Sequence, residues 1–429
     1  MDGTKRSRWL TIAILLGLAV MAVVVLRPRP TPVTAPIAAR PTSAPGGQAT
    51  VAPASAPRAA SRVPDPLAPD LTSTSGPGDW AMEGYNPART RSIASGLALP
   101  FTQQREVKVT GDQGDGSPLT IAQGMLLVES SHHLRAFDLG SSAERWSLPL
   151  DGIYISPAVA GDTVFVRSES NNKGQMLALD IANGKLRWGF RPKRLSSPDN
   201  SYFGGHLTSP VVVDGTVFVG AGKEVYALDA TSGAVRWEFA AQDYISSSPT
   251  VAGGHIYISD FDNLYAIDQQ TGTLAWAFPT KLSIYFSPVV AGQTVLLTNG
   301  DTLVALDTAT GKPRWNMSIS GEGLIPGAVQ GSRAFVKSAS TLYALDLGSG
   351  KELWRAHDLN FISLPVVAGD QVYIVSGMGA DTAVAALDAI TGRDTWKQPV
   401  ASLATAAPVI AGRSLYVRTT DGRVIGFGR

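Results

Sequence analysis

A ten-residue pattern recurs along this chain and constrains its fold more than any other feature. The pattern is Leu-Asp-x-x-Thr-Gly-x-x-x-Trp or a close variant, and in every copy the Trp follows the Asp by eight positions. The seven copies are Asp138…Trp146, Asp180…Trp188, Asp229…Trp237, Asp268…Trp276, Asp307…Trp315, Asp346…Trp354 and Asp388…Trp396. Self-similarity at a fixed period indicates a repeat architecture. Residues shared by all copies are therefore expected to serve the fold rather than a reaction.

Each repeat is predicted to contain four short strands. In the unit that starts at Pro249, a Gly-Gly hairpin leads into a second strand at His255–Ser259, and a third follows at Leu264–Asp268. The turn Asp-x-x-Thr-Gly then leads to a fourth strand that carries Trp276. Glycine supplies positive φ at hairpins, and Asp and Thr side chains bond nearby backbone N–H groups. The pattern predicts a four-stranded antiparallel blade that is buried on both faces.

The number of strand starts predicts how the ring closes. Eight units begin at a proline: Pro118, Pro157, Pro210, Pro249, Pro288, Pro326, Pro365 and Pro408. The last unit ends at Gly428-Arg429, before a fourth strand, while Thr102–Thr110 is a spare strand upstream. We therefore predict an all-β, eight-bladed β-propeller over residues 79–429, with about 39 residues per blade and closure between the two chain ends. The seven tryptophans are expected to dock each blade on its neighbour.

The first 78 residues differ from the repeats. Lys5, Arg6 and Arg8 precede an uncharged apolar run, Trp9–Leu26, which as a helix spans about 27 Å. Because Arg27-Pro28-Arg29-Pro30 follows, we expect an uncleaved transmembrane signal anchor, with a cleaved signal peptide as the alternative. Residues 1–8 would form a cytoplasmic stub and the rest would lie outside the cytoplasm, as a single-pass membrane protein. Residues 27–78, rich in Pro and Ala, are expected to be a disordered tether.

Composition excludes several kinds of site. Lys plus Arg number 36 and Asp plus Glu 35, which gives no basic footprint for nucleic acid. The chain contains no cysteine, so disulfides, thiolate metal sites, a cysteine nucleophile and a lipidated N-terminal cysteine are excluded. The histidines show no metal-ligand spacing, and no serine elbow, His-Glu-x-x-His motif or P-loop is present. We expect no catalytic, cofactor-binding or metal residues.

The run Tyr-Ala-Leu-Asp-x-x-Thr-Gly-x-x-x-Trp at Tyr226–Trp237 resembles the repeat of PQQ-like (pyrroloquinoline quinone) propellers. The segment Trp80–Thr90 is similar to the opening of such domains, so the resemblance covers about residues 79–429. It implies the fold and an exported location. This family includes quinoprotein dehydrogenases and the propeller lipoprotein of the outer-membrane β-barrel assembly machine. The dehydrogenase members imply a vicinal disulfide, a calcium site and an Asp base, and no segment here matches them.

Two sets of loop residues are candidates for binding. Acidic residues recur in the loops between second and third strands, where turn formation is the expected role and a divalent-ion site the alternative: Asp260, Asp262, Asp301, Asp381 and Asp421. Aromatic residues precede the prolines and are expected to rim the mouth of the channel, with packing over the channel as the alternative: Tyr154, Tyr202, Phe203, Tyr244, Tyr285 and Phe361. Exposed aromatic residues are typical of protein interfaces.

These observations favour a non-catalytic, membrane-tethered propeller outside the cytoplasm. It would bind a protein, a peptide or an envelope polymer on its loop face, in the manner of an envelope or outer-membrane assembly scaffold. A PQQ-dependent dehydrogenase is the alternative that the resemblance implies, with PQQ and a divalent ion as its cofactors. A ligand-sensing propeller is a third hypothesis.

Overall fold

The computed structural model describes residues 79–109, 117–130, 132–150, 156–170, 173–193, 208–280, 286–299, 301–319 and 323–429. In these ranges the regular secondary structure is β-strand, arranged in eight sheets. No segment of this part of the chain forms a helix long and apolar enough to cross a membrane. The predicted stub (1–8), anchor (9–26) and tether (27–78) lie outside the described residues.

Two strands precede the first complete repeat, β1 (Ser92–Ile93) and β2 (Thr102–Lys108). Seven repeats then form antiparallel four-stranded blades in chain order. Blade 1 contains β3 (Thr120–Ala122), β4 (Met125–Ser130), β5 (His133–Asp138) and β6 (Glu144–Pro149). Blade 2 contains β7 (Ala158–Ala160), β8 (Thr163–Ser170), β9 (Lys173–Asp180) and β10 (Leu186–Phe190). Blade 3 contains β11 (Val211–Val213), β12 (Thr216–Ala221), β13 (Glu224–Asp229) and β14 (Val235–Ala240).

The following blades repeat this arrangement. Blade 4 contains β15 (Thr250–Ala252), β16 (His255–Ser259), β17 (Asn263–Asp268) and β18 (Leu274–Pro279). Blade 5 contains β19 (Val289–Ala291), β20 (Thr294–Asn299), β21 (Thr302–Asp307) and β22 (Pro313–Ser318). Blade 6 contains β23 (Ile325–Gln330), β24 (Arg333–Lys337), β25 (Leu342–Asp346) and β26 (Glu352–Ala356). Blade 7 contains β27 (Val366–Ala368), β28 (Gln371–Met378), β29 (Asp381–Asp388) and β30 (Asp394–Pro399).

The eighth blade is built from both ends of the propeller. Its inner strands are β31 (Val409–Ala411), β32 (Ser414–Arg418) and β33 (Arg423–Gly428), and β2 is its outermost strand. β2 pairs with β33 in an antiparallel register that runs from Thr102 opposite Gly428 to Lys108 opposite Arg423. The prediction of eight four-stranded blades is confirmed, and the spare upstream strand fills the place that the last repeat leaves open.

Burial explains why the inner strands are apolar on both faces. Every residue of β12 is buried, because neighbouring blades cover both faces of the sheet. The outermost strands instead alternate between exposed and half-buried positions, as in β14. In all seven repeats the pairing of the third and fourth strands shifts next to the tryptophan. This β-bulge changes the direction in which the tryptophan side chain leaves the outer strand.

Blade 7 carries a fifth strand that the repeat pattern did not predict. β1 pairs in parallel with β27, the innermost strand, so that Ser92 lies opposite Val367 and Ile93 opposite Ala368. Because β27 faces the central channel, the chain upstream of β2 enters the ring rather than passing outside it.

Candidate functional site

The antiparallel blades give the ring two different faces. Connections between successive blades, and loops between second and third strands, emerge on one face, the crossover face. Turns between first and second strands, and between third and fourth strands, emerge on the opposite turn face. Of the six aromatic residues predicted to rim the channel, the two that the structure describes lie in crossover loops. Tyr244 and Phe361 are described, whereas Tyr154, Tyr202, Phe203 and Tyr285 lie outside the described residues.

On the crossover face, Tyr244 lies beside Lys223, which belongs to the loop between β12 and β13 of blade 3. Lys223 Nζ lies 5.0 Å from the centroid of the tyrosine ring. The same ammonium group is 3.2 Å from Asp243 Oδ1, and the Asp243 N–H donates to Asp260 Oδ2 at 3.0 Å. A cation–π contact of this kind contributes about 0.5–1 kcal/mol at an exposed site. Tyr244 is therefore part of a fixed polar network.

Asp260 organises this network from a fully buried position. Its Oδ1 accepts hydrogen bonds from the N–H groups of Asp262 (2.8 Å) and Asn263 (2.6 Å). Its Oδ2 accepts one from the Tyr265 hydroxyl at 2.6 Å. Burial, together with this hydrogen bond, raises the pKa of Tyr265 to about 12. The hydrogen bonds from Asp262 and Asn263 are those of a turn. Among the residues that the structure describes, no group of three or more His, Asp or Glu side chains could hold a metal ion.

An exposed apolar patch lies between the crossover loop of blades 6 and 7 and the β28–β29 hairpin. Phe361 is 50% exposed and Met378 is 68% exposed. The Gly377 N–H donates to the carbonyl oxygens of Asn360 (2.6 Å) and Phe361 (3.1 Å), which ties the loop to the hairpin. Phe361 has a φ of 45°, a left-handed conformation that bulky residues rarely adopt. Lys337 Nζ lies 6.0 Å from the ring. Strained backbone that exposes an aromatic ring favours a binding role for this Phe361 patch (Phe361, Met378, Lys337).

The segment Asp79–Ile93 runs inside the ring. It starts with an antiparallel bridge between Trp80 and Ile121 of blade 1 and ends with β1 on blade 7. Between these points its carbonyl oxygens accept hydrogen bonds of 2.8–3.0 Å from the N–H groups of innermost strands. The pairs are Ala81 with Val159, Pro87 with Val251, Ala88 with Val290, Thr90 with Val329 and Arg91 with Val367. We call Asp79–Ile93 the channel segment, because it lines the channel from blade 1 to blade 7.

Three charged side chains of the channel segment form a cluster in the ring. Glu83 Oε2 is 3.0 Å from Arg89 Nη1, and Glu83 Oε1 is 3.6 Å from Arg91 Nη2. Arg89 Nε also donates to the Pro249 carbonyl (3.0 Å), and Arg91 Nη1 to that of Gly327 (3.1 Å). Burial by itself raises the pKa of Glu83, but the two guanidinium groups outweigh it and leave that pKa lowered. Burial lowers the pKa of Arg91 to about 10. The cluster fastens the segment to blades 4 and 6.

A cavity of about 180 Å³ remains beside the channel segment, between blades 7, 8 and 1. Its lining from the segment includes Trp80, Glu83 and Arg91, and the blades contribute Leu364 and Ala407. Pockets for small-molecule ligands measure roughly 300–1,000 Å³. The space left in this part of the ring is therefore smaller than a typical ligand pocket.

The repeat tryptophans contact the next blade in a constant way. In six repeats the indole Nε1–H donates to a backbone carbonyl in the turn between the third and fourth strands of the following blade, at 2.8–3.1 Å. Trp276, for example, donates to Thr308 at 2.9 Å. Trp396 differs because the eighth blade has no Thr-Gly turn. Its ring contacts Phe101 and Phe427 instead, with centroid distances of 5.2 and 5.9 Å.

Two parts of this architecture were not predicted from the sequence. One is the position of the channel segment inside the ring, because Trp80–Thr90 was recognised only as the opening of such domains. The other is the arginine that precedes the tryptophan in four repeats and occupies the β-bulge. Each pairs with the aspartate of its own repeat: Arg145–Asp138 (2.8 Å), Arg187–Asp180 (2.7 Å), Arg236–Asp229 (2.7 Å) and Arg314–Asp307 (3.2 Å). The recurring Arg-Trp dipeptide was the available signal.

The repeats match the family model described as Outer membrane protein assembly factor BamB, at residues 103–201, 193–324, 261–363 and 338–429. The chain belongs to this family. The relation to PQQ-like propellers that the repeat indicated is thereby confirmed. BamB from Moraxella catarrhalis has a similar structure, with a TM-score of 0.59 at 18% identity over 77% of this chain and 100% of that chain. Quinohemoprotein alcohol dehydrogenase from Comamonas testosteroni gives 0.61 at 15% identity over 82% and 81%. At these identities the likeness is one of fold.

A curated relative of this BamB-family chain is the serine/threonine-protein kinase AfsK of Streptomyces griseus. It is 31% identical over 150 residues, which cover 32% of this chain. The match spans 17% of the length of the kinase.

Among the residues that the structure describes, none forms the cofactor site that the resemblance to quinoprotein dehydrogenases implies. The vicinal disulfide that the resemblance implies has no counterpart, because the chain has no cysteine. Within the described ranges, no acidic or histidine group is placed to bind a calcium ion. Arg91 and Glu83, which line the remaining cavity of about 180 Å³, are already paired with each other.

Proposed function

We propose that the chain is a non-catalytic scaffold outside the cytoplasm that binds a protein, a peptide or an envelope polymer through its crossover face. Residues 9–26 would anchor it in the membrane, with residues 1–8 inside, and residues 27–78 would tether the propeller. The observation that carries the proposal is the channel segment. Its carbonyl oxygens bond the innermost strands, so that its backbone lies in the central channel, where a small ligand would otherwise bind. Membership of the BamB family supports an assembly role.

The crossover face supplies a suitable binding surface. Phe361 and Met378 expose 50% and 68% of their surface in a part of the ring where backbone hydrogen bonds hold them in place. Aromatic residues near the centre of an interface supply much of its binding energy. Predefined positions reduce the entropy lost on binding.

The test compares partner recovery by three versions of the full chain, cross-linked in native membranes and affinity-purified. Phe361→Ser with Met378→Ser is expected to lower recovery of the specific partner at least tenfold, with unchanged circular dichroism and Tm. Leu274→Ser is the matched control, because Leu274 is 48% exposed but lies on an outer strand.

Two results would overturn the proposal. One is undiminished recovery both by the Phe361 and Met378 variant and by a chain that lacks residues 192–200 and has Tyr202 and Phe203 replaced. The other is quinone absorbance in the purified protein together with dye-linked oxidation of alcohols or sugars, which would make the chain an enzyme.

A further inference from the structure

Aromatic pairs seal the outer part of two consecutive blade interfaces. Between blades 2 and 3, Phe190 packs on Tyr226 with ring centroids 5.1 Å apart and the planes at 61°. Between blades 3 and 4, Phe239 packs on Tyr265 at 5.4 Å and 62°. Each phenylalanine lies two residues after the docking tryptophan of its blade. The repeat therefore has a defined position at which one aromatic side chain covers the next blade.

The interface between blades 1 and 2 has smaller residues at these positions. Leu148 replaces the phenylalanine of β10 and β14, and Leu177 replaces the tyrosine of β13 and β17. Gly189, which pairs with Leu177, adds no side chain. An apolar groove of about 490 Å³ results, and its volume falls in the range of ligand-binding pockets.

Small residues alone do not define this groove. At the interface of blades 6 and 7, Ala356 and Ala385 occupy the two aromatic positions. There, however, the residue paired with Ala385 is Lys397, whereas Gly189 has no side chain at the equivalent position of blade 2. The groove of blades 1 and 2 thus combines leucines in place of both aromatic rings with a glycine at the third position.

The lining of the groove defines the chemistry of an occupant. Leu148, Leu177 and Leu179 supply apolar surface, and Leu186, which is 61% exposed, forms its outer lip. Arg191 also lines the groove, and its Nε donates to Gln175 Oε1 at 3.0 Å. This contact orients the guanidinium group, whose other N–H groups have the geometry to bind a carboxylate.

We propose that this groove binds a peptide segment of a partner protein that carries an aromatic residue close to an acidic one. The aromatic ring would take the place that Phe190 fills at the next interface, and the carboxylate would pair with Arg191. This site lies on the circumference of the ring and is independent of the binding role proposed for the crossover face.

The probe is a fluorescein-labelled, acetylated pentapeptide in which phenylalanine and aspartate are separated by one glycine. Its binding to the full chain is measured by fluorescence anisotropy at low ionic strength. Leu148→Phe with Leu177→Tyr builds the seal of the next interface into the groove and is expected to weaken binding at least tenfold. Thermal unfolding checks that this variant is folded, and Leu186→Ser, at an exposed position, is expected to weaken binding several-fold without affecting the fold.

Matched variants test the charge and the location. Arg191→Glu is expected to weaken binding of the aspartate peptide at least tenfold and to favour a peptide with lysine in its place. Leu274→Ser changes the same repeat position in blade 4, where Phe239 and Tyr265 seal the interface, and is expected to leave affinity unchanged.

Three outcomes overturn the proposal. The first is the absence of probe binding by the unaltered chain, since the groove would then be covered or too shallow. The second is affinity that none of the groove variants changes. The third is a dimer, detected by light scattering, that Leu148→Phe with Leu177→Tyr converts to a monomer, because the occupant would then be a second copy of this chain.

Discussion

At the scale of single residues, the glycine of the Thr-Gly turn meets two demands at once. Gly311 has a φ of 66°, and a Cβ at this position would lie 2.5 Å from Cε3 of Trp276 in the preceding blade. The same contact recurs at Gly184, Gly233, Gly272, Gly350 and Gly392. The glycine and the tryptophan of the repeat are therefore two sides of one contact between blades.

Gly311→Ala separates the steric part of this contact from the backbone part. Gly331→Ala is the matched control, because Gly331 has a φ of 55° and a Cβ there would meet no atom within 4 Å. Gly331→Ala is expected to cost about 1–2 kcal/mol of unfolding free energy, from the left-handed backbone alone. Gly311→Ala is expected to cost a further 1–3 kcal/mol or so, because Trp276 must shift. Urea denaturation measures both, and equal losses would contradict the contact.

At the scale of elements, β2 decides whether the ring is closed. Its burial is uneven, since Val107 is 1% exposed whereas Lys108 is exposed. Val107 belongs to the core cluster that also contains Val424 and Phe427 of β33. The closing strand thus attaches through one buried side chain as well as through its backbone pairing.

Val107→Asp should open the ring selectively. It places an unpaired charge in an apolar interface, and we expect a loss of more than about 3 kcal/mol in the free energy of unfolding. Lys108→Asp is the matched control, because it introduces the same residue one position along on the exposed side and should change stability by about 0.5 kcal/mol or less. Thermal unfolding provides the measurement, and a Val107 variant as stable as its control would show that closure does not depend on this contact.

At the scale of the whole molecule, the seven turn aspartates respond together to pH. Hydrogen bonds lower the pKa of every one, from the bulge arginine first in blades 1 to 3 and from turn residues in blades 4 to 7. A carboxyl group whose pKa is lower in the folded state stabilises the fold above its unfolded pKa of about 4, and this contribution is lost as pH falls through the folded value. Glu83 has the same sign.

The propeller should therefore lose stability in acid. We expect the Tm to change little between pH 7 and pH 5 and to fall progressively from pH 4 to pH 2. Asp268→Asn should reduce the size of this fall, because the hydrogen bond from the Thr271 N–H, which contributes most to lowering the Asp268 pKa, no longer depends on ionisation. Asp370→Asn, in a hairpin of blade 7, serves as the charge-matched control. A Tm that stays constant down to pH 2 would refute the linkage.

The repeat predicted the fold well because its information is local. Turn glycines, alternating apolar residues and the spacing from Asp to Trp each specify a hairpin or a strand, and counting them located both the blades and the spare strand at Thr102. The candidate site was less accessible. Nothing in the spacing of Phe361 and Met378 indicates that they lie together, since this depends on the backbone hydrogen bonds of Gly377.

The sequence by itself determined the number of blades, the strand order and the way the ring closes, because each is set by short-range pattern and by the count of repeats. Only the tertiary structure decided that the channel segment lies inside the ring and that Phe361 and Met378 are exposed beside each other on the crossover face. Glu83 meets Arg89 and Arg91 in the ring, and Arg91 bonds Gly327, which lies 236 residues away. Contacts at such separation follow from the curvature of the closed ring, and no local pattern encodes them.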